Sequence, residues 1–198
     1  MAVARVNDYV AILWLAFYAY WAYSIFYEKA TKRSKAVERA EPLARATASR
    51  LALWAAALFS LVSFPQQNYP FNISFMPASL PAPWLGFEVG LVGVLFEVWA
   101  RRALGGNWNA DPALKKGQTL TTEGPYSIVR HPIYSGIALL VIGSAIVQNS
   151  ITGLCGIVFI LVFAYIRIRE EDRLMAEKFG KDYDKYRASV KAFIPYLV

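Results

Sequence analysis

The sequence predicts an all-α, polytopic integral membrane protein with about five transmembrane helices and a carboxyl-terminal amphipathic helix. Three observations carry this reading. Of 198 residues, 57% are hydrophobic and only 18% charged, too apolar for an ordinary soluble domain. The charges collect between long apolar runs instead of within them. Finally, the runs can be threaded so that 20 of the 21 basic residues lie on one face, with Arg5 alone on the other, the asymmetry that orients a chain in a bilayer with its basic side in the cytosol. The amino terminus is then outside and the carboxyl terminus inside.

Residues 9–27 form an uncharged run of Trp, Tyr, Phe, Ala and Leu, about the length a helix needs to cross a bilayer. With only Arg5 ahead of it and no small-residue cleavage pattern behind it, the run reads as a retained helix and not a signal peptide. Residues 28–50 follow as a polar connector with seven basic and three acidic side chains, an inner loop. Residues 51–87 carry no charge, but Pro65, Pro70, Pro77, Pro81 and Pro83 divide them. A second span is expected over about 47–64, then an external loop, then a third span over about 83–99 that stops at Arg101 and Arg102. Glu88 and Glu97 lie near the ends of this third span, where both are expected to reach the interface.

Residues 103–132 read as a structured loop on the inner face. Residues 133–147 and 151–168, separated by Gln148, Asn149 and Ser150, read as a tight helical hairpin. The tail from 167 to 198 is charged, with Leu174, Phe179, Tyr183 and Tyr186 at helical spacing, as in an amphipathic helix lying on the membrane face. The whole chain is expected to be one domain, residues 1–100 supplying three spans and residues 101–198 the catalytic core.

Composition excludes several functions. The net charge of +7 flanks apolar runs and forms no basic patch on a soluble fold, so no nucleic-acid partner is expected. The single cysteine, Cys155, sits in an apolar run and the single histidine, His131, has no second histidine beside it. Neither a disulfide framework nor a zinc site can be built, and no metal is expected. What remains is Arg130 and His131 just ahead of a helix, Pro132 at its first position, and Glu170 and Glu171 at another helix end on the same face. Free amides at a helix start favour an anionic group, and carboxylates accept hydrogen bonds from hydroxyl or amino groups. Each has a plainer use: His131 could cap its helix, the glutamates could be solvated beside Arg167, Arg169 and Arg173, and Tyr126 and Tyr134 suit a membrane interface.

The pattern Arg130-His131-Pro132-x-Tyr134-x-Gly136, then Glu170-Glu171, then Phe179-Gly180-x-x-Tyr183-x-x-Tyr186 and Phe193-Ile194-Pro195, resembles the isoprenylcysteine carboxyl methyltransferase family and its phospholipid methyltransferase relatives. The resemblance covers roughly residues 105–198. It implies a helical membrane enzyme that takes S-adenosylmethionine from the cytosolic side, through a cytosolic catalytic loop, and a lipophilic or prenylated substrate sideways from the membrane lipid. On that pattern Leu120, Gly124, Pro125, Tyr126, His131, Tyr134, Gly136, Glu170 and Glu171 would form the cofactor site, and Arg130, His131 and Glu170 would be catalytic. No obligate protein partner is expected.

The acceptor stays open at this point: a prenylated cysteine carboxylate, a phospholipid amine or a small thiol. Similar carboxyl-terminal patterns occur in membrane sterol and acyl reductases that use NADPH, but Glu170-Glu171 favours the methyltransferases. A non-enzymatic scaffold would leave the clustering of Arg130, His131 and the glutamates unexplained. The threading itself is testable: cysteines introduced at Ser34 and Ser74 should label from opposite sides of the membrane, and labelling of both from one side would refute it.

Overall fold

The computed structural model describes residues 2–31, 37–40, 73–77, 81–109, 113–149 and 151–195. Among these, five α-helices dominate: α1 (Ala2–Thr31), α2 (Pro81–Leu104), α3 (Pro132–Gln148), α4 (Ile151–Phe179) and α5 (Lys181–Ser189). The second span expected over 47–64 lies outside the described residues. Two helical stretches, Val6–Tyr27 and Pro81–Asn107, are long and apolar enough to cross a membrane, and α3 is a shorter apolar helix. Outward-facing side chains on α1, α2 and α4 are apolar too: Leu15, Phe26, Leu95, Val158 and Leu161 are exposed. Large apolar side chains exposed on three helices suit hydrocarbon and not water, as in a membrane protein.

Among the described residues, helices α2 and α3 form the tightest contact, and small residues explain why. A Cβ at Gly86 would stand 2.7 Å from the Gly143 carbonyl oxygen, and one at Gly93 would stand 2.6 Å from that of Gly136. The two pairs are one heptad apart on each antiparallel helix, so the same faces meet twice and backbone touches backbone. Where lipid removes the hydrophobic drive for helix association, such close approach is what remains to hold helices together. Around this seam Val94, Leu140, Val141 and Ile160 pack with Val10, Leu13 and Phe17 of α1 into one core.

Three expectations are corrected. The fold is not purely helical: β1 (Val37–Ala40) pairs antiparallel with β2 (Ala113–Lys115), tying the connector after α1 to the inner loop. Strands of three or four residues are too short for period-two patterning to announce them. The amphipathic tail is not a separate helix from 167, because α4 runs unbroken to Phe179. It breaks at Gly180, whose φ of 49° and ψ of −124° suit glycine alone, and α5 follows. Glu97 does not reach the interface. It is 1% exposed and accepts a hydrogen bond from the Trp21 indole N–H across the α1–α2 contact, whereas Glu88 is exposed as expected.

The α3–α4 hairpin is as expected. Asn149 closes it in the left-handed region at φ 46°, and its side chain both donates to the Met76 carbonyl and accepts from the Met76 N–H, each at 2.9 Å. If the glycine seam sets the α2–α3 distance, Gly136→Ala and Gly93→Ala should each lower stability by about 1–3 kcal/mol as overpacked contacts. Thermal unfolding in detergent measures this, and unchanged midpoints would contradict it.

Candidate functional site

Helices α1, α3 and α4 and the inner loop enclose a cavity of about 530 Å³, a size ordinary for a small-molecule site. Its inner end is polar, lined by Gln118, Arg130, His131, Tyr134, Arg167 and Glu171; its other end is lined by Trp14, Phe17, Val141, Ile160 and Phe163. The two characters follow from helix register: Arg167, Glu171 and Leu174 continue the α4 face that carries Ile160 and Phe163 deeper in.

At the inner end a hydrogen-bonded network is built around His131, which is 7% exposed. Its Nε2 lies 2.7 Å from Asp172 Oδ1 and its Nδ1 3.4 Å from Glu171 Oε2. Arg130 donates to Asp172 Oδ2 at 3.1 Å and to the Val190 carbonyl. Tyr183 donates to Asp172, and Tyr134 donates to Glu171. Arg167 stands 3.7 Å from Glu171. The Tyr134 ring stacks with His131 and meets Phe163 edge-on at 5.8 Å.

The chain after α5 returns to hold the start of α3. The Arg130 N–H donates to the Lys191 carbonyl at 2.8 Å, the His131 N–H to Ala192 at 2.9 Å, and the Ser135 hydroxyl to Phe193 at 2.6 Å. Gly180 is what makes this possible. Its turn sends Tyr183 back to Asp172 and lets the Tyr186 hydroxyl reach the Tyr126 carbonyl. The Phe-Gly-x-x-Tyr-x-x-Tyr spacing is therefore a positioning device for the polar end.

Charge and burial set the protonation states. Burial disfavours a charged His131, but the hydrogen bonds to Asp172 and Glu171 and their negative charges outweigh it and hold the imidazole pKa above its ordinary value. Burial likewise opposes ionisation of Asp172, yet the bonds from His131 and Tyr183 and the charges of His131 and Arg130 hold it far below the usual carboxylate range. Glu171 is lowered in the same way, against its burial, by His131, Arg167 and Tyr134.

Of the residues singled out in the sequence, Leu120, Tyr126, Arg130, His131, Tyr134 and Glu171 line the cavity. Gly124, Pro125, Gly136 and Glu170 do not. Gly136 belongs to the α2–α3 seam, where a Cβ would meet Gly93 O at 2.7 Å and Glu97 Cβ at 2.8 Å. Glu170 is buried, but 100° per residue turns it away from the face that carries Glu171. Asp172, the residue that fastens His131, was passed over beside the glutamate pair. Its signal was Tyr183, eleven residues on in the same motif. The apolar wall from α1 carried no sequence signal of its own.

In this membrane protein of packed helices an arginine, a histidine and carboxylates stand together at the polar end of an otherwise apolar cavity. The chain belongs to the phospholipid methyltransferase family, which residues 82–182 match. The match begins at α2 and takes in the glycine seam together with Arg130, His131, Tyr134, Glu171 and Asp172, and stops just short of Tyr183. The chain is 31% identical over 151 residues to the protein-S-isoprenylcysteine O-methyltransferase of Mus musculus, covering 72% of this chain and 50% of the mouse protein. It is 30% identical over 123 residues to the cobalt-zinc-cadmium resistance protein CzcN of Cupriavidus metallidurans, covering 61% of this chain and 51% of that one. It is also 29% identical over 96 residues to the uncharacterized protein YpbQ of Bacillus subtilis, covering 48% and 57%. The chain thus spans about half the length of the curated relatives it matches. The resemblance read from the Arg-His-Pro and Glu-Glu motifs is borne out.

The shifted pKa values predict a pH window for stability. A histidine raised on folding stabilises fully below its ordinary value of 6.5, and that contribution is lost as pH rises through the raised value. An aspartate lowered on folding stabilises fully above its ordinary value of 3.8, and that contribution is lost as pH falls through the lowered one. The network should therefore stabilise most between those two values. Unfolding midpoints across pH should show a decline on both sides that Asp172→Asn flattens.

Proposed function

We propose that the protein is an S-adenosylmethionine-dependent methyltransferase acting on a lipophilic substrate, with carboxyl O-methylation of a prenylated cysteine or similar group as its reaction. The observation that carries this is a single cavity whose polar end holds Arg130, His131 and Glu171 and whose remainder is apolar. The reading includes a multi-pass topology with the polar end facing the cytosol, supported by the one-sided distribution of Lys and Arg.

The donor set fits a zwitterionic sulfonium cofactor. Arg130 lines the cavity, and a guanidinium is a charged donor suited to a carboxylate. Glu171 offers negative charge to an ammonium or sulfonium, and the Tyr134 and Phe163 rings beside it suit a cation as well. When bound, S-adenosylmethionine supplies a methyl group activated for in-line displacement. The chain's own contribution is alignment and exclusion of water, worth roughly 7–11 kcal/mol when positioning is good.

The network also favours the kind of acceptor. Both ring nitrogens of His131 face carboxylates, so as an imidazolium it donates on both sides and has no lone pair with which to take a proton. An amine or thiol acceptor would have to lose a proton to a base, whereas a carboxylate acceptor requires none. Arg130 and a positively charged His131 further attract an anionic acceptor. Arg130 and His131 thus hold charge at the reaction centre, and Glu171, in place of Glu170, faces the cofactor.

In proteoliposomes with radiolabelled S-adenosylmethionine, N-acetyl-S-farnesylcysteine should become a base-labile methyl ester, and the molecule without its prenyl group should react far more slowly. His131→Ala and Glu171→Ala should each weaken S-adenosylhomocysteine binding by about tenfold or more, the worth of one charged hydrogen bond. Glu170→Ala should leave that affinity unchanged. Label appearing in a phospholipid amine instead of an ester would overturn the acceptor assignment.

A further inference from the structure

The apolar end of the cavity is closed by a polar bond. Lining positions on α1 begin at Trp14 and end at Ile25; on α3 the deepest is Val141, and on α4 it is Ile160. One turn beyond Val141 lies Ser144, and the Trp14 indole N–H donates to its Oγ at 2.9 Å across the α1–α3 contact. The Ser144 hydroxyl proton is committed to the Leu140 carbonyl at 2.8 Å, so its lone pairs face the indole. Phe17 meets the Trp14 ring edge-on at 5.4 Å and Tyr18 flanks it at 5.7 Å. The indole is therefore fixed in position by a directed bond and by packing on two sides. It lies across the deep end of the cavity, 5% exposed.

We propose that Trp14, pinned by Ser144, is the floor of the acceptor's hydrocarbon site and sets the longest chain the enzyme accepts. The proposal rests on the methyltransferase reading above and names a specificity determinant within it. From Ile25 to Trp14 the cavity follows α1 for about 16 Å, at 1.5 Å per residue. The polar groups at the inner end fix where the head group sits, so chain length is measured from there to the indole. Relative to water each methylene is worth about fourfold whether it rests in the bilayer or in the cavity, so discrimination between chains comes from their fit against the floor. A chain that outruns the floor gains nothing from its last carbons and must bend or withdraw the head group.

The test is a series of N-acetylcysteine thioethers carrying geranyl, farnesyl and geranylgeranyl chains, assayed for kcat/KM in proteoliposomes. In the wild type, kcat/KM should rise from geranyl to farnesyl and not rise further to geranylgeranyl. Trp14→Ala should raise the ratio of geranylgeranyl to farnesyl about tenfold, while Trp14→Phe, which keeps a ring there, should move it by less than about threefold. If the alanine variant does not fold, Ser144→Val reads the same quantity: it withdraws the indole's acceptor and should shift the ratio in the same direction. Transfer that persists with identical chain-length profiles in wild type and variants would overturn the floor. No transfer to any of the three chains by the wild-type protein would instead overturn the prenylcysteine acceptor, and the floor with it.

Discussion

Everything at the site depends on how closely α2 and α3 can approach. Two glycine pairs remove the Cβ atoms that would otherwise hold these helices apart, and the apolar surroundings supply no hydrophobic drive to replace the contact. The seam fixes the rotation of α3. That rotation turns Ile133, Tyr134, Ile137 and Val141 toward the cavity while Gly136 and Gly143 face α2. Because the helix cannot turn without overlapping backbone, its first residues, His131 and Pro132, are held at a defined point of the cavity's polar end. The Arg-His-Pro motif and the glycine four residues beyond it thus do different jobs: one presents charge, the other sets the angle at which it is presented.

Charge is the second constraint. A buried arginine, a buried histidine and two carboxylates would be costly in a low-dielectric interior unless each met its opposite. Here Asp172 takes hydrogen bonds from His131, Arg130 and Tyr183 together, while Glu171 takes them from Tyr134 and His131. The pairing divides the labour between neighbouring carboxylates. Asp172 has most of its capacity filled by the protein and fixes geometry; Glu171 lies on the cavity wall. A helix places such neighbours 100° apart, so adjacent acids can serve different sides of one network.

The helical parts of the architecture were legible in the sequence where apolar runs were long and bounded by charge, as in α1 and α2, and where a polar tripeptide closed a hairpin at Asn149. The polar end was legible because histidine occurs once and sits between arginine and proline. What could not be read was phase. Nothing in Glu170-Glu171-Asp172 says which acid faces inward until the rotation of α4 is known. Gly136 reads equally as a cofactor contact or a packing surface until its neighbour is seen. Short strands such as Ala113–Lys115 lie below the length at which alternation is a signal, and Lys115, fully buried and donating to the Gly106 and Trp108 carbonyls, is a residue that composition would have placed in solvent.

The return of residues 191–193 to the head of α3 has a consequence for the order of assembly. The α3–α4 hairpin joins near neighbours in the chain and closes a short loop. The bonds from Arg130, His131 and Ser135 reach some sixty residues further on, and loop closure on that scale comes late. The α3 and α4 sides of the apolar half are joined by contacts nearer in the chain than those that fasten its charged half. The backbone of Arg130 and His131 is tied to residues that follow the last described helix, so the charged half of the cavity depends on the tail in a way that the apolar half does not.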